Sequence, residues 1–379
     1  MQGLVNESRD RQGRELLRVL MVSKACVVGI YQRKLEEMAR LGITLRVIVP
    51  PFWRDERGVT PLERAHTEGY ELRVERLVFN GSFHLHFYPR LGRHIRAFRP
   101  DVVHMDEEPY NLATWHGLRL ARRAGCRTVW FSWQNLLRHY PPPFSWLERD
   151  CLRHADGAIV GNQTAVQVWR AKGYEGPLAV IPQFGTDPQL FAPAPQRTER
   201  AAFVVGYAGR LVEEKGIDLL LEAVAALPAA RLLILGSGPL RAALEQQAQR
   251  LGIDGRVEFR GTLPSTCMPE FYHQLDALVL PSRSRPNWVE QFGRVLVEAM
   301  ACGVPVVGSD CGEIPHVIGD AGLIFAEGDV EALRGHLARL QSDAALRAEL
   351  ARQGRQRVLE RFTQARVAEE TVALYRSLF

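Results

Sequence analysis

Short apolar runs alternate with stretches of helical period along most of the chain. "LLRVLMVS" (16–23) reads as a buried strand, "YQRKLEEMARLG" (31–42) as an amphipathic helix and "TLRVIVP" (44–50) as a second strand. "DVVHM" (101–105), "RTVWFSW" (127–133) and "DGAIVGN" (156–162) continue the strands, with "LATWHGLRLARRAG" (112–125) as a helix between the first two. The pattern restarts after Pro182. "FVVGYAG" (203–209) and "ARLLILGSG" (230–238) read as strands, each followed by a helical stretch, "GIDLLLEAVAAL" (216–227) and "PLRAALEQQAQRLG" (239–252). "RVEFRG", "ALVLPS" and "PVVGSD" add three strands, and the C-terminal stretch is helical by period. Continuous apolar strands alternating with helices predict parallel sheets covered on both faces. The restart predicts an α/β chain of two Rossmann-like, doubly wound domains facing across a cleft. The expected domains are 1–185 and 186–359, with a helix at about 360–379 packing back on the first. The stretch 180–200, rich in Pro, Gln and Thr, is the expected linker.

Length agrees with two domains, since 379 residues exceed one ordinary core. With 46% hydrophobic and 24% charged residues the chain is of globular type, and no apolar run approaches the roughly 20 residues of a membrane helix. The polar start "MQGLVNESRDRQGREL" has no apolar core, so it is not expected to be a signal peptide. Six scattered cysteines without a CxxC pair argue against zinc and disulfides and for a reduced, cytoplasmic setting. The net charge of +5 is too mild to suggest nucleic acid. Of 48 basic residues only four are lysine: Lys24, Lys34, Lys172 and Lys215. In such a chain each lysine's position is informative.

In a doubly wound sheet, ligands bind at the carboxyl ends of the strands. The loop after the first strand, "SKACVVGIYQRK", places Gly29 just before a helix start, where free N–H groups suit an anion. It lacks GxGxxG, so a dinucleotide site is not indicated. In "GYAGRLVEEKGIDLL", Arg210 and Lys215 follow a strand and precede a helix, an arrangement that suits a diphosphate. The alternative is a pair of solvated charges beside Glu213 and Glu214. Gly236 and Gly238 in "LILGSGPLR" permit close backbone approach to a ligand.

"VEQFGRVLVEAM" (289–300) holds two carboxylates eight positions apart. Phe292 and Gly293 read as the entry to a helix running to about Cys302, which leaves Glu290 in the loop and Glu298 in the second turn. In a continuous helix they would stand ~12 Å apart. That is too far for a glycosidase pair, whose carboxyls are roughly 5–10 Å apart across one bond. The two acids suit two points on one elongated ligand, and carboxylates accept well from paired sugar hydroxyls. The alternative is a helix-surface Glu298 and a Glu290 that favours the helix N-terminus. The apolar neighbours of Glu298 weigh against it.

Together these segments resemble a family 4 glycosyltransferase of the GT-B fold. "GYAGRLVEEKGIDLLLEA" resembles its G-R-x-x-x-x-K-G segment. "VIPQFGTDPQLFAP" resembles its interdomain stretch, with Gln183 and Thr186 as departures. "EQFGRVLVEAMACGVPVVGSDCGEIPHVI" resembles its E-x7-E signature with the G-x-P-V-V and G-x-P segments beyond it. The match spans most of the chain and is strongest over about 156–325. The resemblance implies a retaining enzyme that uses a nucleotide-diphosphate sugar as co-substrate and no metal or other cofactor. It implies that Arg210 and Lys215 bind the diphosphate and Glu298 the ribose. Glu290, with N–H groups near Phe292 and Gly293, would hold the transferred sugar. Gly29 would approach the phosphates, and Leu263 with Pro264 would flank the base. No D-x-D closes a strand; "MDEE" (105–108) is not one.

One departure matters. Many relatives carry a His after the strand equivalent to "RTVWFSW", where this chain has Trp133-Gln134-Asn135. Gln134 or Asn135 can orient a sugar but not act as a base. His104 and Glu107 are the neighbouring candidates, and a transfer in which the leaving phosphate takes the acceptor proton needs no protein base. The acceptor, a glycan, lipid-linked or small molecule, is expected on the N-terminal half. Candidate rings there are Trp130, Trp133, Tyr140, Phe144, Trp146 and Tyr110, with the alternative that several of them are core. Asp106, Glu107 and Glu108 are the candidate acids beside them. "PRLGRHIRAFRPD" (89–101) is basic and amphipathic, which suits peripheral contact with an anionic membrane face. Rival readings are a nucleotide-sugar epimerase on the same fold and a decayed sugar-nucleotide-binding protein. The sequence leaves donor base, sugar, acceptor and oligomeric state open.

Overall fold

The computed structural model describes residues 16–55, 58–195 and 202–379. The expectation for the N-terminal tail, and the end of the expected linker, lie outside them. The chain forms two units, one running through Gly185 and taking back Gln364–Phe379, the other Thr186–Thr363.

The first unit contains β1 (Leu17–Val22), β2 (Ile43–Val49), β3 (Phe52–Asp55), β4 (Gly58–Pro61), β5 (Glu71–Val74), β6 (Val102–Met105), β7 (Arg127–Ser132), β8 (Gly157–Val160) and β9 (Leu178–Val180). Its helices are α1 (Arg33–Arg40), α2 (Leu91–Phe98), α3 (Leu112–Arg123), α4 (Phe144–His154) and α5 (Gln163–Ala171). Seven strands form a parallel sheet in the order β5-β2-β1-β6-β7-β8-β9, while β3 and β4 pair as a separate antiparallel hairpin. Alternate residues of each strand face opposite cores. Leu20, Val22, Val103, Met105 and Trp130 pack with α2, α3, α4 and α5 on one face. Val19, Met21, Val102, Val129 and Phe131 pack with α1 and the C-terminal helix on the other.

The second unit contains β10 (Phe203–Ala208), β11 (Ala230–Leu235), β12 (Val257–Arg260), β13 (Ala277–Leu280), β14 (Val306–Ser309) and β15 (Leu323–Phe325). Its helices are α6 (Ile217–Ala225), α7 (Arg241–Arg250), α8 (Met268–Tyr272), α9 (Arg294–Ala301), α10 (Ile314–Ile318), α11 (Val330–Ser342) and α12 (Ala344–Arg361). The strands are all parallel, in the order β12-β11-β10-β13-β14-β15. Every residue of β10, β13 and β14 is buried, which is why these strands read as unbroken apolar runs. After α12 the chain returns to the first unit as α13 (Gln364–Arg376), which packs on α1.

Periodicity misses the hairpin, β5, β9 and β15. All are of three or four residues, too short to show a period. Helix α2 forms within "PRLGRHIRAFRPD", but Leu91, Ile95 and Phe98 are buried in the first unit's core. Its apolar face is therefore not available to enter a membrane. No helix of the described residues is long and apolar enough to cross one.

Candidate active site

Each sheet has one point where the strand order reverses: between β1 and β6 in the first unit, and between β10 and β13 in the second. Loops leaving adjacent strands in opposite directions open a crevice there. Two of the four lysines lie at these points, and each meets a glutamate.

In the second unit, Lys215 ends a single turn, Glu213–Lys215, in the loop after β10. Its Nζ lies 2.5 Å from Glu290 Oε2 and 4.8 Å over the Trp288 ring. Ser282 Oγ donates to the same Glu290 oxygen at 3.0 Å. Glu290, 8% exposed, lies in the loop after β13. The next residue after Lys215, Gly216, has φ +63°, and a Cβ there would come within 2.1 Å of the Pro281 carbonyl oxygen. Only glycine lets these two loops touch, which is how Lys215 reaches Glu290. Lys215 and Glu290, expected at different parts of a ligand, are therefore direct neighbours.

Helix α9 begins after Gly293, whose φ is +75°. Glu298 occupies its second turn and is 6% exposed. Tyr272 Oη donates to Glu298 Oε2 at 2.6 Å, and Arg294 Nε lies 3.2 Å from Oε1. Burial pushes the Glu298 carboxyl up, against the pull of Arg294 and Tyr272. The partner expected for this acid thus includes the protein itself. Nothing in the sequence signalled Tyr272, which comes from α8. Phe292 meets Phe362 edge-on at 5.7 Å. Arg210 is exposed at the end of β10, and its carbonyl accepts from Tyr207 Oη at 2.8 Å. Leu263 is 41% exposed.

Gly236 makes a close approach to the chain's own backbone. Its φ is +148°, and a Cβ would lie 1.8 Å from the Gly209 carbonyl oxygen. A Cβ on Gly238 would lie 2.3 Å from the Leu211 oxygen. These glycines let the loops after β10 and β11 press on each other.

In the first unit, Ser23 Oγ donates to Asp106 Oδ2 at 2.6 Å, and Lys24 pairs with Glu107, whose side chain is fully buried. His86 Nε2 lies 3.4 Å from the other Glu107 oxygen. Burial opposes the Glu107 charge, but Lys24 and His86 outweigh it and hold the carboxyl down to about 2. The Gly29 N–H is taken by Glu63 Oε2 at 2.6 Å, an acceptor the sequence did not reveal. The remaining lysines are also engaged: Lys34 donates to the Gln183 carbonyl at 2.7 Å, and Lys172 meets Glu148 at 2.5 Å.

The substitutes for the missing histidine are not brought to an open site. His104 is 1% exposed, and its Nδ1 lies 2.6 Å from Tyr375 Oη of α13. Burial holds this imidazole down to about 4. It faces the core beneath the sheet rather than the strand ends, which corrects its candidacy as a catalytic group. Gln134 does follow β7, but its amide closes its own loop. Nε2 donates to the Leu136 carbonyl at 2.9 Å, and Tyr140 Oη approaches Oε1 at 3.4 Å.

Glu108, expected beside the acceptor, is half-buried and hydrogen-bonded within the first unit. It accepts from Ser132 Oγ at 2.5 Å and Trp133 N–H at 2.8 Å. Burial still pushes its carboxyl up to about 7. The folded protein therefore holds this proton more tightly than the unfolded chain. The resulting stabilisation is full below the ordinary carboxyl range and is lost as pH rises through about 7. Glu108→Gln removes the charge; its carbonyl still accepts from Trp133 N–H, while its amide N–H replaces the second acceptor and donates to Ser132 Oγ. Relative to the parent it should gain about 2 kcal/mol between about pH 5 and pH 8 in denaturant unfolding. An equal difference at both pH values would contradict the assignment.

Residues 192–357 match the family model "Glycosyl transferases group 1", and residues 30–183 match "Glycosyl transferase 4-like domain". The lipopolysaccharide core biosynthesis glycosyltransferase LpsE of Rhizobium meliloti is 34% identical over 183 residues, 48% of this chain and 52% of its own. The chain thus matches about half the length of that relative. A GDP-mannose-dependent alpha-(1-6)-phosphatidylinositol monomannoside mannosyltransferase of Mycolicibacterium smegmatis is 31% identical over 277 residues, 66% of this chain and 71% of its own. The structure of Anabaena HepE in complex with UDP superimposes with a TM-score of 0.73 at 19% identity, covering 96% of this chain and 100% of that one. The two parallel α/β units are those of the GT-B fold.

Proposed function

Because the chain belongs to the group 1, family 4-type glycosyltransferases, we propose that it moves a hexose-type sugar from a nucleotide-diphosphate sugar to an acceptor hydroxyl, with retention and without a bound metal. The observation that carries this reading is the meeting of Lys215, Ser282 and Glu290 at the second unit's reversal point, with Glu298 on the adjoining helix. A diphosphate arriving beside Lys215 competes with Glu290 for the ammonium. That exchange releases carboxylate lone pairs for the hydroxyls of the transferred sugar. Arg210, exposed at the end of β10, supplies the second cation for the leaving diphosphate, and the N-terminus of α9 adds its partial positive charge. Two cations and a helix end do the neutralisation that a metal would do elsewhere. Glu298 takes the ribose hydroxyls.

The acceptor is assigned to the strand-end loops of the first unit. Gln134 cannot act as a base and His104 faces the core, so the acceptor proton goes to the leaving phosphate. In that step the bond from the anomeric carbon to the phosphate oxygen breaks. The bond to the acceptor oxygen forms on the same face, and the proton moves from acceptor to phosphate.

Incubation with a panel of nucleotide-diphosphate sugars, read by mass spectrometry and NMR, tests the reading. Release of nucleoside diphosphate and an α product from an α donor are expected. An isomerised sugar with the nucleotide still attached would indicate an epimerase. No turnover of any donor, with or without a glycan acceptor, would oppose the reading.

A further inference from the structure

Helices α3 and α4 lie side by side over one face of the first sheet, and a cavity of about 410 Å³ opens between them. It is lined by Arg119, Arg122, Arg123 and Asp150. Helix α3, "LATWHGLRLARR", contains no acidic residue, and its three arginines are exposed. Arg119 is held 5.2 Å over the Trp115 ring. Asp150 is the one carboxylate in the lining, and it is shared. One oxygen lies 3.9 Å from Arg122 Nη1, and the other lies 3.0 Å from His154 Nδ1. Three guanidinium groups thus face one half-engaged acid.

Several other arginines each have an acid of their own, such as Arg241 with Glu245, Arg283 with Asp218 and Arg352 with Glu349. Three like charges around one cavity repel unless an anion joins them. The guanidinium fork fits phosphate oxygens in pairs. A neighbouring cavity of about 700 Å³ beside α4 is less one-signed, because Glu148 and Glu175 share its lining with Lys172, Arg149 and Arg153. The arginine cavity also sits toward the amino ends of the strands, since α3 runs down to the start of β7. It is therefore distinct from the Lys24–Glu107 cluster at the carboxyl ends.

We propose that the cavity between α3 and α4 is an anion site for a phosphate-bearing ligand, either a lipid head group or a free phosphate. The test uses the full chain, Arg122→Gln/Arg123→Gln and Asp150→Asn. Inorganic phosphate is titrated against chloride at matched ionic strength. Sedimentation is measured with phosphatidylglycerol and phosphatidylcholine vesicles. A specific signal should appear with phosphate or with phosphatidylglycerol. It should weaken at least about tenfold in the double variant and strengthen in Asp150→Asn, where the competing charge is gone. A signal confined to phosphatidylglycerol assigns a lipid head group, and one that includes inorganic phosphate assigns the free ion. The proposal is overturned if neither probe exceeds its control, or if the double variant binds as the parent does. Nucleoside diphosphate binding, which should be unchanged in both variants, reports that they are folded and keeps this test independent of the donor site.

Discussion

Replacing Lys215 with alanine should weaken a nucleoside diphosphate about 10- to 100-fold while leaving the corresponding nucleoside within about twofold. The substitution removes phosphate charge and nothing that meets a base or ribose. It also leaves Glu290, 8% exposed, without its cation, so that a negative charge faces the incoming diphosphate. Both effects act on the phosphates and neither on the nucleoside. Calorimetric titration of both ligands checks this. An equal loss for the two would refute the assignment of Lys215.

The second large effect separates the two glutamates. Glu298→Gln should lower affinity for free nucleotide about tenfold, because the carboxylate has acceptor sites beyond those used by Tyr272 and Arg294 and the amide has fewer. Glu290→Gln should bind free nucleotide at least as tightly as the parent, since the carboxylate that competes for Lys215 is gone, and lower the transfer rate at least about a hundredfold. Lys215 keeps its charge in that variant and still meets the phosphates, while the sugar loses its carboxylate. If both variants bind free nucleotide like the parent, this division of labour is wrong.

Much of the proposed donor region's backbone was legible in the sequence, because its residues follow strands whose apolar runs are unmistakable. β10 and β13 are buried throughout, and the charges after them stand out against that background. Lysine is rare in this chain, which singles out each one's position. All four lysines are engaged, and Lys24 and Lys215 stand at the two reversal points. Which partner each takes was not legible, since it depends on strand order. Lys24 meets Glu107 only because β1 and β6 are adjacent.

The facing of His104 was hidden for a related reason. β6 is buried on both faces, so its sequence has no polar side to betray direction. The ring's partner, Tyr375, comes from a helix 271 positions further along. The contact of Gly236 with Gly209 was not legible, because a ligand and a neighbouring loop make the same demand for a missing Cβ. Glu63 was missed since the short hairpin before it gives no period that would fix the path over Gly29.

The central claim is that the loops after β10 and β13, with α9, hold a nucleoside diphosphate. Its most direct test is calorimetric titration of the protein with uridine, guanosine and adenosine diphosphates, alongside the Lys215→Ala/Glu298→Gln double variant. Saturable binding of at least one of them is expected, one per chain, abolished in the double variant. Absence of heat with all three, or undiminished binding in the double variant, would contradict the claim.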